Sequence, residues 1–281
     1  MTSEIEQSHA AISRSLELLW RGRGQRSRGP KPGLSLDAIV SAAVRLADRE
    51  GLTALSMRRV AAELGVGTMS LYRYVPAKTE LLYLMLDHVS APSSHDEAET
   101  AGESWLARLE RIGRETYRLY LDHPWLLQVN QSRPVLGPNS MLGLEYSLAT
   151  LDGLSLTDPE KIQIIVTVDS YVTGTARHYV LLRQAHEETG ITDDEFWEAQ
   201  GPAIEEAMTR HSFPHLMRLS AEAFSMSQES MLDFGMERVL DGIASFVAAC
   251  QASRPDGPPA PEQPPDCGPV DDDTPGAGTG G

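Results

Sequence analysis

Between Ser56 and Val75 the chain concentrates side chains suited to nucleic acid: Arg58, Arg59, Thr68, Ser70, Tyr72, Arg73 and Tyr74. An arginine grips guanine with two parallel N–H donors, and hydroxyls suit phosphate oxygens and base edges. The two arginines stand at the start of a short helical stretch, where a helix dipole ordinarily favours acid. That placement brings the isolated chain no stability and points to an anionic partner. Catalytic fingerprints compete poorly. Gly65-Val66-Gly67 followed by Ser70 imitates part of a phosphate loop, but no strand precedes it and the last glycine is missing. Gly-x-Ser-x-Gly, His-Glu-x-x-His and Cys-x-x-Cys do not occur. His211 and His215 have Pro214 between them, which spoils a helical metal pair.

These side chains need elements to position them, and the surrounding pattern supplies helices. Leu36, Ile39, Val40, Ala43 and Ala47 share one face of a first helix that stops at Gly51. A second starts at Ser56 and carries Met57, Val60, Ala61 and Leu64 inward. The chain turns through Gly65, which supplies a positive φ. A third short helix runs from Thr68 to about Tyr74 around Leu71. Pro76 ends it and begins a fourth, with Leu81, Leu82, Met85 and Val89 as its stripe. Two short helices joined by a glycine-containing turn make a helix-turn-helix.

The rest of the chain reads as helical too. Thr157-Asp-Pro-Glu160 is a capping box opening a helix to about Glu188, and Thr192-Asp-Asp-Glu195 opens another through Met208. Pro138-Asn139 begins one that ends by Gly153. A final helix spans Ser227 to Cys250, with Met231, Phe234, Val239, Ile243, Phe246 and Cys250 as apolar positions. Its Gly235 and Gly242 lie on one face and allow close helix approach. Near the front, residues 8–20 place Ile12, Leu16, Leu19 and Trp20 on one helical face, ahead of an arginine-rich Gly/Pro linker. From Gln251 onward, 8 Pro and 6 Gly among acidic residues cannot offset ordering entropy, so disorder is expected there.

The 281 residues carry a formal net charge of -16, which argues against nucleic acid only until it is divided. Residues 1–90 hold 12 Lys/Arg against 9 Asp/Glu, whereas the remainder holds 12 against 31. The front can therefore meet a polyanion while the body is repelled by it. Cys250 and Cys267 form neither a disulfide framework nor a zinc site, which fits a reducing, cytoplasmic setting. No apolar run approaches the roughly 18 residues of a membrane span, and no secretory leader is legible.

The stretch LSMRRVAAELGVGTMSLYRYVPAKTELL resembles the DNA-binding domain of the tetracycline-repressor (TetR) family of transcriptional regulators, over about Ser35 to Leu86. Leu121-Asp-His-Pro-Trp-Leu126 and Gly137-Pro-Asn139 resemble the effector domain of its tetracycline-repressor branch. The resemblance implies that Arg58 reaches the major groove from the second helix. Thr68, Met69 and Ser70 would lie against base edges, Met69 offering only apolar contact. Tyr72, Tyr74 and Lys78 would touch the phosphate backbone. The basic extension lies outside the minimal family pattern, and Arg26 and Arg28 are expected in a minor groove or on phosphates.

It further implies an all-α fold: a three-helix DNA-binding domain and a larger helical domain for ligand binding and dimerisation. The expected boundaries are 1–33 for the extension, 34–90 and 91–250 for the two domains, and 251–281 for the tail. The expected partners are operator DNA, a second copy forming a homodimer through the long and final helices, and a small-molecule effector, with no membrane. Effector candidates are His123, Trp125, Asn139, Met141, Tyr146, Asp169, Thr173, Arg177 and His178. No catalytic residue, cofactor or metal is expected, because the body histidines match no secure ligand pattern. A repressor of a palindromic operator, released by a small hydrophobic or drug-like molecule, is the function so implied. An activator or ligand-independent regulator on the same fold stays open, and a helical enzyme ranks below both.

Overall fold

Helical periodicity runs almost the length of this chain, and the computed structural model, which describes residues 12–20, 34–92, 102–129, 135–224, 226–254 and 257, contains helices and no strand among them. In chain order they are α1 (residues 12–20), α2 (Leu36–Glu50), α3 (Met57–Glu63), α4 (Thr68–Tyr72) and α5 (Lys78–Val89). Then follow α6 (Trp105–Asp122), α7 (Pro138–Thr150), α8 (Asp158–Thr189), α9 (Asp193–Arg210) and α10 (Gln228–Ser253). A 3-10 turn, Pro124–Gln128, links α6 to the segment before α7.

Local chemistry sets most starts. Ser35 Oγ accepts the Ala38 N–H and opens α2; Ser56 Oγ accepts the Arg59 N–H and opens α3. Ser104, Thr192 and Ser227 do the same for α6, α9 and α10. Glu160 reaches back to the Thr157 N–H at 2.7 Å, as the capping box predicts. Each such cap satisfies a donor that the helix itself cannot, worth about 0.5–2 kcal/mol.

The front unit, α2–α5, closes around Ile39, Leu46, Val60, Leu71, Val75 and Leu81, all buried. Gly65 turns at φ 66, as expected. Two boundaries differ from the sequence reading. Helix α4 stops at Tyr72, although the Tyr74 and Val75 N–H groups still return to the Leu71 carbonyl at 2.8 and 2.9 Å. Helix α5 begins at Lys78 rather than Pro76, because Ala77 keeps extended backbone as its cap.

In the body, α8 packs against both α6 and α10. Helix α10 turns Leu232, Met236, Leu240, Ile243, Val247 and Cys250 inward. Met231, Phe234 and Phe246, expected among its apolar positions, are exposed instead. Both faces of α10 carry apolar residues at helical spacing, so periodicity alone cannot choose between them. Gly235 serves this chain's own packing: a Cβ there would lie 2.2 Å from the Tyr171 hydroxyl, which donates to the Met231 and Leu232 carbonyls. At Gly242 an added Cβ meets nothing within 4 Å. The helix also outruns its expected end. It continues through Ser253, and Arg254 grips Glu160 with two bonds of 2.7 Å, pinning the chain to the start of α8. Helix α9 has no buried residue.

Candidate nucleic-acid interface and its seam to the body

The arginines at the start of α3 separate into two roles. Arg59 pairs with Glu50 at the end of α2, and Arg49 bridges Glu50 to Glu63. These cations, Arg59 first, hold the Glu50 carboxyl below its ordinary range. Arg58 is exposed and makes no ion pair among the described residues. Its guanidinium therefore remains available to an outside acceptor.

Helix α4 is only five residues long, too short to hold by itself. Leu71 and Val75, fully buried beneath it, anchor it where it packs against α3. That anchoring presents the opposite side to solvent. Met69 is 76% exposed, Tyr72 43% and Tyr74 37%, with Thr68 and Ser70 partly covered beside them. Lys78 is exposed at the first position of α5, where no side chain caps the helix. Arg73, at the end of α4, is exposed as well and adds a cation to the same face. Its type alone suggested it. Arg26 and Arg28 lie outside the described residues.

The front unit meets the body through two aspartates that sequence patterning did not single out. Asp48 of α2 accepts the Trp125 indole N–H at 2.7 Å, and His123 Nδ1 lies 2.7 Å from the same oxygen. Asp87 of α5 is buried and caps α7 from outside it. Its Oδ1 accepts the Asn139 and Ser140 N–H groups at 3.0 Å each, and its backbone carbonyl accepts from Asn139 Nδ2 at 2.8 Å. Gly137, the residue at the cap position, supplies no side chain, and a Cβ there would stand 2.3 Å from that carboxylate. A negative charge at a helix N-terminus is favourable. Here the charge comes from the other unit. The only hint in sequence was an acid inside the apolar stripe of α5.

Of the expected effector residues, then, His123, Trp125 and Asn139 stand at this seam. Tyr146 accepts from Arg111 at 2.6 Å between α7 and α6, and Met141 is exposed on α7. Asp169, Thr173, Arg177 and His178 lie along α8. Arg177 donates to the Leu127 carbonyl at 3.2 Å, and the Thr173 hydroxyl is buried with no hydrogen-bond partner among the described residues. Asp169 keeps open surface, yet surrounding protein pushes its carboxyl above the usual range. None of the nine lines the cleft of about 380 Å³ between α6, α8 and the start of α10. That cleft has Tyr117, Arg118 and Leu121 on one wall, with Tyr179 and Leu232 opposite. Burial raises the Tyr117 hydroxyl, with smaller contributions from Tyr179 and Tyr171. No group of three or more His, Cys, Asp or Glu among the described residues is placed to hold a metal. His211 ends α9 and His215 lies beyond it, so they share no helix. No helix in the described residues is long and apolar enough to cross a membrane.

Residues 39–83 match the family described as bacterial regulatory proteins, tetR family, and residues 98–247 match the tetracyclin repressor-like C-terminal domain. The chain is similar to the HTH-type transcriptional repressor DrrR1 of Streptomyces coeruleorubidus, with 52% identity over 237 residues, 84% of this chain and 87% of that one. Among solved structures it is similar to the TetR family protein ActR of Streptomyces coelicolor in complex with actinorhodin. There the TM-score is 0.60 at 29% identity, over 76% of this chain and 99% of that one. ActR in complex with (S)-DNPA gives a TM-score of 0.58 at 28% identity, over 77% and 100%.

Proposed function

The chain belongs to the tetracycline-repressor family of DNA-binding transcriptional regulators, and from that premise we propose that it is a dimeric repressor reading its operator through Arg58 and α4 and released by a small aromatic effector. The observation that carries the reading is the division of labour in α3, which packs against α4: Arg59 is consumed by Glu50 while Arg58 stays exposed, with no ion pair among the described residues. Thr68, Met69 and Ser70 take the base edges, and Tyr72, Tyr74, Arg73 and Lys78 take phosphates. Arg26 and Arg28 add electrostatic reach along the neighbouring backbone.

The dimer buries what a single chain leaves open. Gly242, Met231 and Phe246 share the outer face of α10, and Val166 and Leu181 are exposed on α8. Apolar stripes on two long neighbouring helices suit a twofold helical interface. For the effector, the cleft lined by Tyr117 and Tyr179 offers aromatic faces and the Arg118 cation. The complexes of the similar ActR with actinorhodin and (S)-DNPA support a small organic effector for this chain.

The test is a fluorescence-anisotropy titration of the full chain on DNA from upstream of its own gene, against scrambled DNA, over a salt series. Wild type is expected to prefer the upstream DNA. Arg58→Ala is expected to lose about 1–3 kcal/mol of that preference, the worth of one bidentate guanine contact. Equal preference in the variant would remove Arg58 from the reading.

A further inference from the structure

Helix α1 lies N-terminal to both matched family segments, which begin at residues 39 and 98. It is nevertheless built into the molecule. Leu19 is 5% exposed, and Ser15 is wholly buried. Arg14 Nε donates to Glu80 Oε1 at 3.2 Å. Glu80 is a buried carboxylate of α5, and its second oxygen has no hydrogen-bond partner among the described residues. At the other end of α1 the Trp20 indole N–H donates to the Leu136 carbonyl at 3.2 Å. Leu136 immediately precedes Gly137, the cap position of α7. Between these ends Leu18 and Leu19 line a small void of about 70 Å³ together with Val40, Leu84, Asp87 and Asn139.

One short helix therefore touches α2, α5 and the entry to α7, and it covers the place where Asp87 caps the body. We propose that α1 is a positioning strap for operator reading, which fastens the front unit to the N-terminus of α7 and thereby holds α4 at a set orientation to the body. The proposal rests on the dimeric operator-reading function above. Two recognition helices on one operator must keep one separation. A loose seam would have to be ordered on every binding event, and a stiff one is already ordered. The strap's grip comes chiefly from buried Leu19 and from Arg14 facing buried Glu80, with the solvent-exposed Trp20 bond steering its end.

Two variants that leave the charge unchanged test this in the full chain: Leu19→Ala, and the milder Trp20→Phe, which keeps an aromatic ring and deletes the donor. Hydrogen exchange is read at the Asn139 and Ser140 amides, which Asp87 caps, and at buried Val168 and Val172 of α8. The expected result is exchange about tenfold faster at the α7 start in Leu19→Ala, a smaller rise in Trp20→Phe, and no change in α8. Operator affinity is expected to weaken about threefold or more with the slope of log K against log salt unchanged, since no phosphate contact is lost.

Unchanged exchange at Asn139 and Ser140 in both variants would overturn the strap. So would a flattened salt slope, which would mean that α1 acts by placing the basic residues after Trp20 on DNA. If wild type shows no operator preference, the repressor reading fails, and the exchange data still decide whether α1 holds the seam.

Discussion

Adjacent arginines with the same local sequence environment end in different states here because of what lies across from each. Arg59 finds Glu50, itself held by Arg49, and becomes part of a surface ion network. Such exposed pairs contribute little stability, because solvent screens them. Their effect is to engage one guanidinium within the chain while Arg58 stays exposed and without an ion pair among the described residues. A second ion pair has a measurable pH signature. Glu160 accepts two bonds from Arg254 and also the Thr157 N–H, which together lower its carboxyl from the usual 4.5 to about 2. A carboxylate depressed in the folded state stabilises above its unfolded value and loses that contribution as pH falls through the folded one. The contribution of Glu160 is thus complete above pH 4.5 and disappears toward pH 2. Melting temperatures across that window are expected to fall less steeply for Glu160→Gln than for wild type. Parallel acid limbs would show that the pair does not contribute.

Among the helices, α7 most clearly depends on another element for its start. Pro138 removes one orphan N–H, Gly137 offers no cap, and Asp87 of α5 supplies the acceptor. The same atoms that complete a helix therefore join the two units, so a shift of α7 is felt directly at α5. Under the proposed function, this contact is the route from an effector in the body to the front unit, because α5 belongs to that unit and carries the cap. Asp87→Ala leaves the Asn139 and Ser140 N–H groups without an acceptor, and a loss of about 1–3 kcal/mol in denaturant unfolding is expected. Asp87→Asn keeps an acceptor oxygen and is expected to lose less. Equal losses in the two variants would mean that the charge, rather than the hydrogen bonds, holds the seam. Helix α4 shows the opposite dependence. It contributes little order of its own, and the burial of Leu71 and Val75 fixes how its five residues are presented to solvent.

At the scale of the molecule, charge and apolar surface divide the work. Residues 1–90 carry a net positive charge and the remainder a negative one, an asymmetry that favours meeting a polyanion through the N-terminal part of the sequence. The outer faces of α8 and α10 hold exposed apolar side chains that a single chain does not cover. The two glycines of α10 separate the internal role from the external one. Gly235 makes room for Tyr171 within the chain, whereas Gly242 faces open space. Replacing Gly242 with leucine adds about 1 kcal/mol of helix propensity and meets no atom of its own chain. For the proposed dimer, light scattering is expected to find two copies for wild type and a folded monomer for Gly242→Leu, with operator affinity reduced accordingly. A variant that remains dimeric would place the interface elsewhere.

Much of this was legible in the sequence where the controlling interaction is local. Ser56, Thr157, Thr192 and Ser227 mark helix starts because a cap reaches only three residues along the chain. The spacing of Val60, Ala61 and Leu71 around Gly65 places the helix-turn-helix for the same reason. The family, the all-helical fold and the face that carries Arg58 follow from such short-range patterns. Tertiary structure alone decided which apolar face of α10 turns inward, because both faces satisfy the helical period. It also decided that Arg254 belongs to the ordered body, since its partner Glu160 is remote in sequence. The seam was equally invisible: Asp48 and Asp87 meet groups on other helices only once the chain has closed, and no periodicity records which distant donors a buried carboxylate will find.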